Sequence, residues 1–205
     1  MSDTFLTIAS ESEGLYREKG SKFLSFAYPV NSEEAVKEKI DFLRKKYFDA
    51  RHHCYAYRLG ADGGRYRAND DGEPANSAGK PIFGQLTARG LTNVLVVVVR
   101  YFGGILLGVG GLVQAYKQAA ADALSNAQII TDVITETHRL TFDYTNLNRV
   151  LKITKEMNLE CSGQDFNLKN ETSDVINCSM IVQIRKSQIE QMKKQLESFA
   201  MIEKL

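Results

Sequence analysis

Residues Val94 to Val99 constrain the fold of this chain more than any other stretch of its sequence. Six consecutive apolar side chains, most of them β-branched, leave no polar face. A run of this length and composition predicts a strand that is buried on both faces. Arg100, Tyr101 and Phe102 follow, at the point where we expect the strand to emerge. The chain therefore contains a sheet whose centre is covered on both sides.

A glycine-rich segment follows this strand and precedes an alanine-rich one, Leu112 to Leu124, that predicts a helix. A strand, a flexible loop and a helix in this order direct backbone N–H groups and the positive end of the helix dipole at one spot, which favours anion binding. Neither the P-loop nor the GxGxxG pattern is complete, so the glycines alternatively serve only tight strand-to-helix packing. The five glycines are Gly103, Gly104, Gly108, Gly110 and Gly111.

Composition limits the kind of protein that this chain can be. A length of 205 residues fits one large domain or two small ones. The net charge of +1 argues against a protein that coats nucleic acid by charge alone, although a local basic patch is compatible with it. Three distant cysteines without a CxxC pair predict reduced thiols, and we predict neither a metal nor a cofactor. No signal peptide or membrane span is evident, so we expect a cytoplasmic protein.

A basic and aromatic segment runs from Arg44 to Arg67, with seven Lys and Arg side chains against two acids and with His and Tyr interleaved. Such mixtures suit contact with phosphates and stacking on bases. The same alternation also fits a half-exposed strand with a solvated charged turn. Together with the five glycines, the candidate ligand contacts are Arg51, His52, Arg58, Arg65, Arg67, Arg100 and Tyr101.

The acidic motif DDGEP, Asp70 to Pro74, is typical of a turn. Its side chains Asp70, Asp71 and Glu73 could bind a divalent metal or act in acid–base chemistry beside His52. A cluster this short more often supplies turn geometry and helix caps. A hydrolase that uses Cys54 with His52 is a further alternative, but a buried structural cysteine is commoner.

The remaining patterns predict an α+β chain of two domains. Two or three antiparallel strands lie in residues 4–30, Ser32 caps a helix that runs to Lys46, and residues 77–89 form another helix. One or two strands span about 127–144. The rest of the chain suggests a ferredoxin-like unit. Its predicted elements are a helix at 145–157, a strand pair joined by a turn at 170–173, a helix at 187–199 and a last strand. The predicted domains are residues 1–133 and 134–205.

Four ordered motifs resemble those of the IMPACT family, specifically its bacterial two-domain, YigZ-like branch. The motifs are HHC at His52 to Cys54 with Ala56, DDGEP at Asp70 to Pro74, AGKPI at Ala78 to Ile82, and VVRYFGGILLGVGGLVQAY at Val98 to Tyr116. The resemblance implies a first domain similar to domain IV of elongation factor G and to a small-subunit ribosomal protein. It implies a ferredoxin-like second domain similar to domain V of the same factor.

For function, the resemblance implies a cytosolic, non-catalytic protein of translation control that binds RNA or the ribosome through its first domain, with a protein partner in the same process. The family often has a cation at the positions of Leu106 and Gln114, so a phosphate at the glycine loop must here be held by backbone groups and Arg100. The alternative is a phosphate- or nucleotide-binding enzyme. In a kinase-like version, Asp71 or Glu73 would hold magnesium and His52 would act as the base.

Overall fold

The chain forms two compact units. The computed structural model describes residues 3–169 and 176–205. The first unit is Thr4–Asp132, and the second comprises Val133–Leu205 together with the N-terminal residues up to Asp3. None of the helices within these described ranges has both the length and the apolar character that a membrane span requires.

The first unit is built on a five-stranded sheet in the order β2-β3-β6-β4-β5, in which every paired neighbour is antiparallel. A separate two-stranded sheet joins β1 and β7. The strands are β1 (Thr4–Ile8), β2 (Ser12–Glu18), β3 (Ser21–Pro29), β4 (His52–Leu59), β5 (Arg65–Asn69), β6 (Val94–Tyr101) and β7 (Ile129–Val133), and the helices are α1 (Glu33–Lys46), α2 (Gly79–Ala88) and α3 (Gly108–Ser125).

Strand β6 lies in the middle of this sheet, and all six residues Val94 to Val99 are fully buried. The predicted strand with two buried faces is confirmed. Its side chains alternate between two cores, because successive residues of a strand point to opposite faces. Val96 packs in a cluster with α2 and α3, and Val97 packs in a cluster with α1.

Two details differ from the sequence expectation around the glycines. The strand does not emerge at Arg100, because it continues to Tyr101 and the Arg100 side chain stays buried against an acidic partner. Helix α3 begins at Gly108 rather than at Leu112. Each glycine costs a helix about 1 kcal/mol relative to alanine, and the first turns of α3 contain three. The buried face that follows, which runs from Leu112 to Leu124, offsets this cost.

The first helix has the ends that its sequence predicts. The Ser32 side chain accepts a hydrogen bond from the backbone N–H of Ala35, acids occupy the first turn and cations the last. This arrangement complements the helix dipole. Helix α2 begins at Gly79, two residues later than expected, and tolerates Pro81 because the first turn needs no N–H from that residue.

The second unit follows the predicted β-α-β-β-α-β order. Its four strands form an antiparallel sheet in the order β11-β8-β10-β9, with a core that includes Leu140, Val150, Met180 and Met192. The predicted turn at 170–173 lies outside the described residues. The elements are β8 (Thr135–Asp143), α4 (Leu147–Glu156), β9 (Glu160–Lys169), β10 (Ile176–Arg185), α5 (Ile189–Leu196) and β11 (Ala200–Lys204).

Short 3-10 turns precede both helices of the second unit, so α4 begins at Leu147 and α5 at Ile189, each two residues after the predicted start. An N-terminal contact also belongs to this unit. Arg185 donates from Nε and Nη2 to the two carboxylate oxygens of Asp3, at 2.6 and 2.9 Å. This pairing holds the pKa of the Asp3 carboxyl well below its usual range.

Candidate functional site

A buried polar network lies between β6 and the acidic turn. Arg100 Nη1 donates to Glu73 Oε1 at 2.6 Å, and their side chains are only 8% and 4% exposed. The Tyr116 hydroxyl donates to the same carboxylate oxygen at 2.8 Å. Cys54 Sγ lies 3.3 Å from that hydroxyl and 3.0 Å from the carbonyl oxygen of Asp70. Strand β4, strand β6, helix α3 and the acidic turn therefore meet at one set of hydrogen bonds.

The electrostatics of this network favour a structural role over a reactive one. Burial raises the pKa of the Cys54 thiol and that of the Tyr116 hydroxyl, so both groups stay protonated at neutral pH. A reactive cysteine requires a lowered pKa, so the geometry argues against Cys54 as a nucleophile. The guanidinium of Arg100 is paired with Glu73, and its carbon lies 5.5 Å from the ring centre of Phe23. It is not free to hold a phosphate.

Asp70 caps a helix from a distance. Its Oδ1 accepts the backbone N–H groups of Ala78 and Gly79 at 2.9 and 2.8 Å, at the start of α2, and its Oδ2 accepts that of Asn76 at 2.8 Å. Helix α2 has no cap from its own N-cap side chain. Pro74 ends the motif, and its carbonyl accepts from the backbone N–H and the hydroxyl of Ser77.

Asp71 joins the acidic turn to the sheet. Its Oδ2 accepts the backbone N–H of His53 at 2.7 Å, and its Oδ1 accepts from Arg44 at 2.9 Å. The carbonyl oxygen of Asp71 lies 2.8 Å from Nδ1 of His52. The acidic side chains are thus engaged in turn, cap and ion-pair contacts, and the described ranges contain no group of three or more His, Cys, Asp or Glu side chains that could hold a metal.

The glycine loop has one position that admits no side chain. A Cβ on Gly103 would lie 1.9 Å from the carbonyl carbon of Gly20, so the backbone packs directly on the turn between β2 and β3. Gly104 and Gly108 have φ angles of 85° and 69°, which favour glycine. Gly110 and Gly111 lie in the first turns of α3.

The loop presents apolar side chains to solvent. Leu106 is 83% exposed and Phe102 is 54% exposed, and Ile105 and Val109 are exposed as well. A loop that cradles phosphate through its backbone does not require such side chains. The close approach of Gly103 to Gly20 explains by packing why this position requires glycine. A phosphate site at the glycine loop stays a prediction.

The basic and aromatic segment divides into two parts. Arg58 donates to the carbonyl oxygens of Asp62 and Gly63 in the turn after β4, and to that of Leu91 just before β6. Arg51 is exposed just before β4. Of these two arginines, only Arg51 is exposed, because the guanidinium of Arg58 is engaged in hydrogen bonds within the protein.

Strand β5 is an edge of the sheet and is exposed along most of its length. Arg65 and Arg67 point to one face and Tyr66 to the other, because side chains alternate along a strand. The Tyr66 ring stacks on that of Phe83, with centroids 4.9 Å apart. Arg67 also lines a cleft of about 480 Å³ beside α1, whose lining includes both acids and cations.

The predicted site residues therefore do not form one surface. His52 and Arg100 face each other across β4 and β6 beside the acidic turn, and Tyr101 donates its hydroxyl to Asp49 at 2.7 Å on the opposite face of the sheet. Arg65 and Arg67 lie on β5, at the edge of the sheet.

Two features that bear on the candidate site were not predicted from the sequence. Tyr116 lies among alanines on the buried face of α3. Its helical spacing from those alanines indicates burial, and a buried tyrosine hydroxyl needs a hydrogen-bond partner, so the sequence contained a signal for this contact. Arg17 and Lys22 flank the Lys19-Gly20 turn, and a hairpin through that turn places them opposite each other.

Comparison with known proteins gives consistent matches. The family model described as "Impact N-terminal domain" matches residues 19–124. The chain is 33% identical over 150 residues to "IMPACT family member YvyE" of Bacillus subtilis, a match that covers 73% of this chain and 69% of that protein. It is 45% identical over 108 residues to "IMPACT family member YigZ" of Escherichia coli, covering 52% of this chain and 53% of YigZ. The chain thus spans about half the length of YigZ.

One solved structure aligns with the whole chain. A crystal structure of a hypothetical protein superposes with a TM-score of 0.76 at 26% identity, covering 100% of this chain and 98% of the other. The likeness therefore extends over both units and beyond the residues that the family model matches.

Proposed function

Because this chain belongs to the IMPACT family, in its bacterial YigZ-like branch, we propose that it is a cytosolic, non-catalytic protein of translation control that binds the ribosome through RNA. In this proposal the two domains keep the bounds predicted from the sequence, an IMPACT-type domain of residues 1–133 and a second domain of residues 134–205. The compact units differ from these bounds at Asp3 and Val133, which both belong to the second unit. The family resemblance supports a likeness of the first domain to domain IV of elongation factor G. The β-α-β-β-α-β order of the second supports a ferredoxin-like domain similar to domain V of that factor.

The observation that carries the RNA-binding proposal is the exposed edge strand β5. Arg65 and Arg67 project from one face of it, and among the described residues neither guanidinium has an ion-pair partner. Arginine suits phosphate because its planar fork donates two hydrogen bonds at once. Tyr66 adds an aromatic ring on the other face, which is 63% exposed and stacks on the ring of Phe83. Cations and an aromatic on one strand are the elements of single-stranded RNA contact.

Because the net charge of the chain is small, RNA binding must depend on this local arrangement of cations. At +1, the protein has no long-range attraction for RNA that would mask the loss of a few contacts. Acids also lie near the strand, since Glu33 and Glu34 line the cleft beside Arg67. Binding should therefore be local, salt-sensitive and dependent on the two arginines.

Co-sedimentation with ribosomes and separated subunits across a salt series tests this proposal. Replacing both arginines (Arg65→Ala with Arg67→Ala) should weaken binding and reduce the logarithmic salt slope by roughly 0.7 to 0.9 per lost phosphate contact. The matched control is Lys117→Ala with Lys194→Ala, which removes the same charge from exposed helix positions outside the basic and aromatic segment. Arg100→Ala is unsuitable as a test of RNA contact, because it would leave the buried Glu73 carboxylate unpaired and destabilise the fold.

Three results are informative. A loss confined to the arginine variant supports the edge strand as the contact. Equal losses in both double variants would mean that only overall charge matters, and β5 would not be the specific surface. Absence of wild-type binding even at low salt would contradict the proposed function itself.

A further inference from the structure

A pocket of about 420 Å³ lies on one face of the first unit's sheet, next to the β2–β3 hairpin and away from β5. The register of the hairpin sets Leu15 opposite Leu24, and these side chains give the pocket an aliphatic part. The pocket lies on the same face of the sheet as α1. It is lined by Leu15, Arg17, Gly20, Lys22, Leu24, Tyr101 and Phe102.

The pocket is lined by two cations, Arg17 and Lys22, and, among the residues that the structure describes, by no acidic side chain. Arg17 lies directly opposite Lys22 across the hairpin, and like charges in this position destabilise a sheet. Within residues 3–169 and 176–205 neither cation has an ion-pair partner. The neighbouring Glu18 points to the opposite face, where it accepts from the Tyr16 hydroxyl. An anion bound between Arg17 and Lys22 would relieve their repulsion.

Two aromatic rings complete the lining. The Tyr101 hydroxyl donates to the carboxylate of Asp49 at 2.7 Å, which fixes the position of the ring. Phe102 is exposed, and its ring lies 5.8 Å from the guanidinium carbon of Arg100. The Gly103 N–H donates to Ser21 Oγ at 3.1 Å, so the end of β6 is fastened to the hairpin that supplies the cations. The segment that carries the rings is thus held against the hairpin that carries the cations by this hydrogen bond and by the close packing of Gly103 on Gly20.

We propose that this pocket binds an unpaired nucleotide of RNA, with its base against Tyr101 and Phe102 and its phosphate between Arg17 and Lys22. The inference rests on the proposed RNA-binding function and adds a second contact at the end of the sheet away from β5. Stacking on aromatic rings tolerates any base, so the pocket would read the presence of an unstacked base rather than its identity.

The position of the pocket favours a nucleotide over an acidic peptide. Extended peptides usually add to the open edge of a sheet, where backbone N–H and C=O groups are unpaired. This pocket instead lies over side chains of β2, β3 and β6. Strand β2 is an edge of the sheet, but beside the pocket the N–H of Leu15 already donates to Asp122 and the carbonyl oxygen of Glu13 already accepts from Asn126. Its ligand must therefore be recognised mainly by side chains. An aromatic base with an attached phosphate matches two rings beside two cations.

Titration of the isotope-labelled full chain with uridine 5′-monophosphate, followed by amide NMR, tests the inference. We expect saturable shifts at Arg17, Lys22 and Phe102, and much weaker binding of uridine or inorganic phosphate alone. Phe102→Ala should weaken nucleotide binding about tenfold, in line with the stacking free energy of a single base. Lys22→Gln should also weaken it and should lower its salt dependence.

The controls separate this inference from the proposed function. Leu106→Ala changes an exposed side chain of the same loop outside the pocket and should leave the nucleotide affinity unchanged. The double arginine variant of β5 should still bind the nucleotide. If ribosome binding persists while neither the mononucleotide nor a short oligouridylate shifts the pocket, the inference is wrong and the proposed function stands.

Two further outcomes are decisive. If inorganic phosphate binds as tightly as the nucleotide, the pocket holds an anion without recognising a base, which overturns the inference. If the nucleotide binds the pocket but ribosomes do not bind the protein, the pocket is a nucleotide site and the ribosomal proposal fails instead.

Discussion

Glu73 is the residue on which the buried network of the first unit depends. Its Oε1 accepts from both Arg100 and Tyr116, and so it joins β6 and α3 to the acidic turn. A buried ion pair contributes little net stability, since desolvation offsets most of its attraction. Removal of one partner is costly, because the other charge then stays buried alone.

We expect Glu73→Gln to lower the free energy of unfolding by about 3 to 5 kcal/mol, the cost of leaving a buried charge unpaired. Urea denaturation at neutral pH measures this change. Glu38→Gln, at an exposed position of α1, is the matched control and should stay within about 0.5 kcal/mol. A similar small effect at Glu73 would show that Arg100 finds other compensation.

His53 gives the first unit a pH dependence. Burial lowers the pKa of its imidazole, while the nearby Asp71 carboxylate partly opposes this shift and Arg44 reinforces it. In the unfolded chain His53 takes up its proton near pH 6.5. The folded chain takes it up only at lower pH, so the unfolded state binds more protons in this window and stability falls as the pH drops below about 6.5.

The variant His53→Gln should remove this portion of the pH dependence. Urea denaturation at several pH values from 7.5 to 5 would compare it with the wild type. We expect the wild-type free energy of unfolding to decline more steeply toward low pH, because only the wild type loses the contribution of a neutral buried imidazole. Parallel profiles would contradict this assignment.

Helix α2 illustrates how an element is fixed by a residue outside it. Asp70 accepts the N–H groups of Ala78 and Gly79 from eight and nine residues upstream, and a carboxylate there also suits the helix dipole. The same helix packs Ile82 and Leu86 into the core. The acidic turn thus sets where this helix begins and, through it, how one face of the sheet is covered.

Asp70→Ala should lower the free energy of unfolding by up to about 2 kcal/mol, the upper range for a lost helix cap. Asp70→Asn should cost less, because it keeps an oxygen acceptor. Hydrogen exchange at the amides of Ala78 and Gly79 should accelerate in the alanine variant. Asp41→Ala, on an exposed position of α1, provides the control. Unchanged exchange at both amides would mean that water replaces the cap without cost.

Local sequence patterns were sufficient to predict several elements of this fold. The apolar run at 94–99 determined β6, and the Ser32 cap with charged ends determined α1, because both signals are contained in a few neighbouring residues. The contacts of the candidate site were not accessible in this way. Glu73 meets Arg100 and Tyr116 only after distant segments pack, and an apolar pattern reports burial without reporting which strand is the neighbour. Arg100 was expected at the surface for that reason.

At the scale of the whole first unit, the central position of β6 governs the order of assembly. The hairpins β2–β3 and β4–β5 connect neighbouring segments, but they join each other only through β6, which pairs β3 on one side and β4 on the other. Such non-local pairing slows folding.

During synthesis, at about 5 to 20 residues per second, the stretch from Pro29 to Val94 takes on the order of several seconds to appear. Throughout that interval the inner edge of β3 has no strand to pair with. An unpaired strand edge is a site for aggregation, so the nascent chain depends on its surroundings for protection until its most apolar strand has left the exit tunnel.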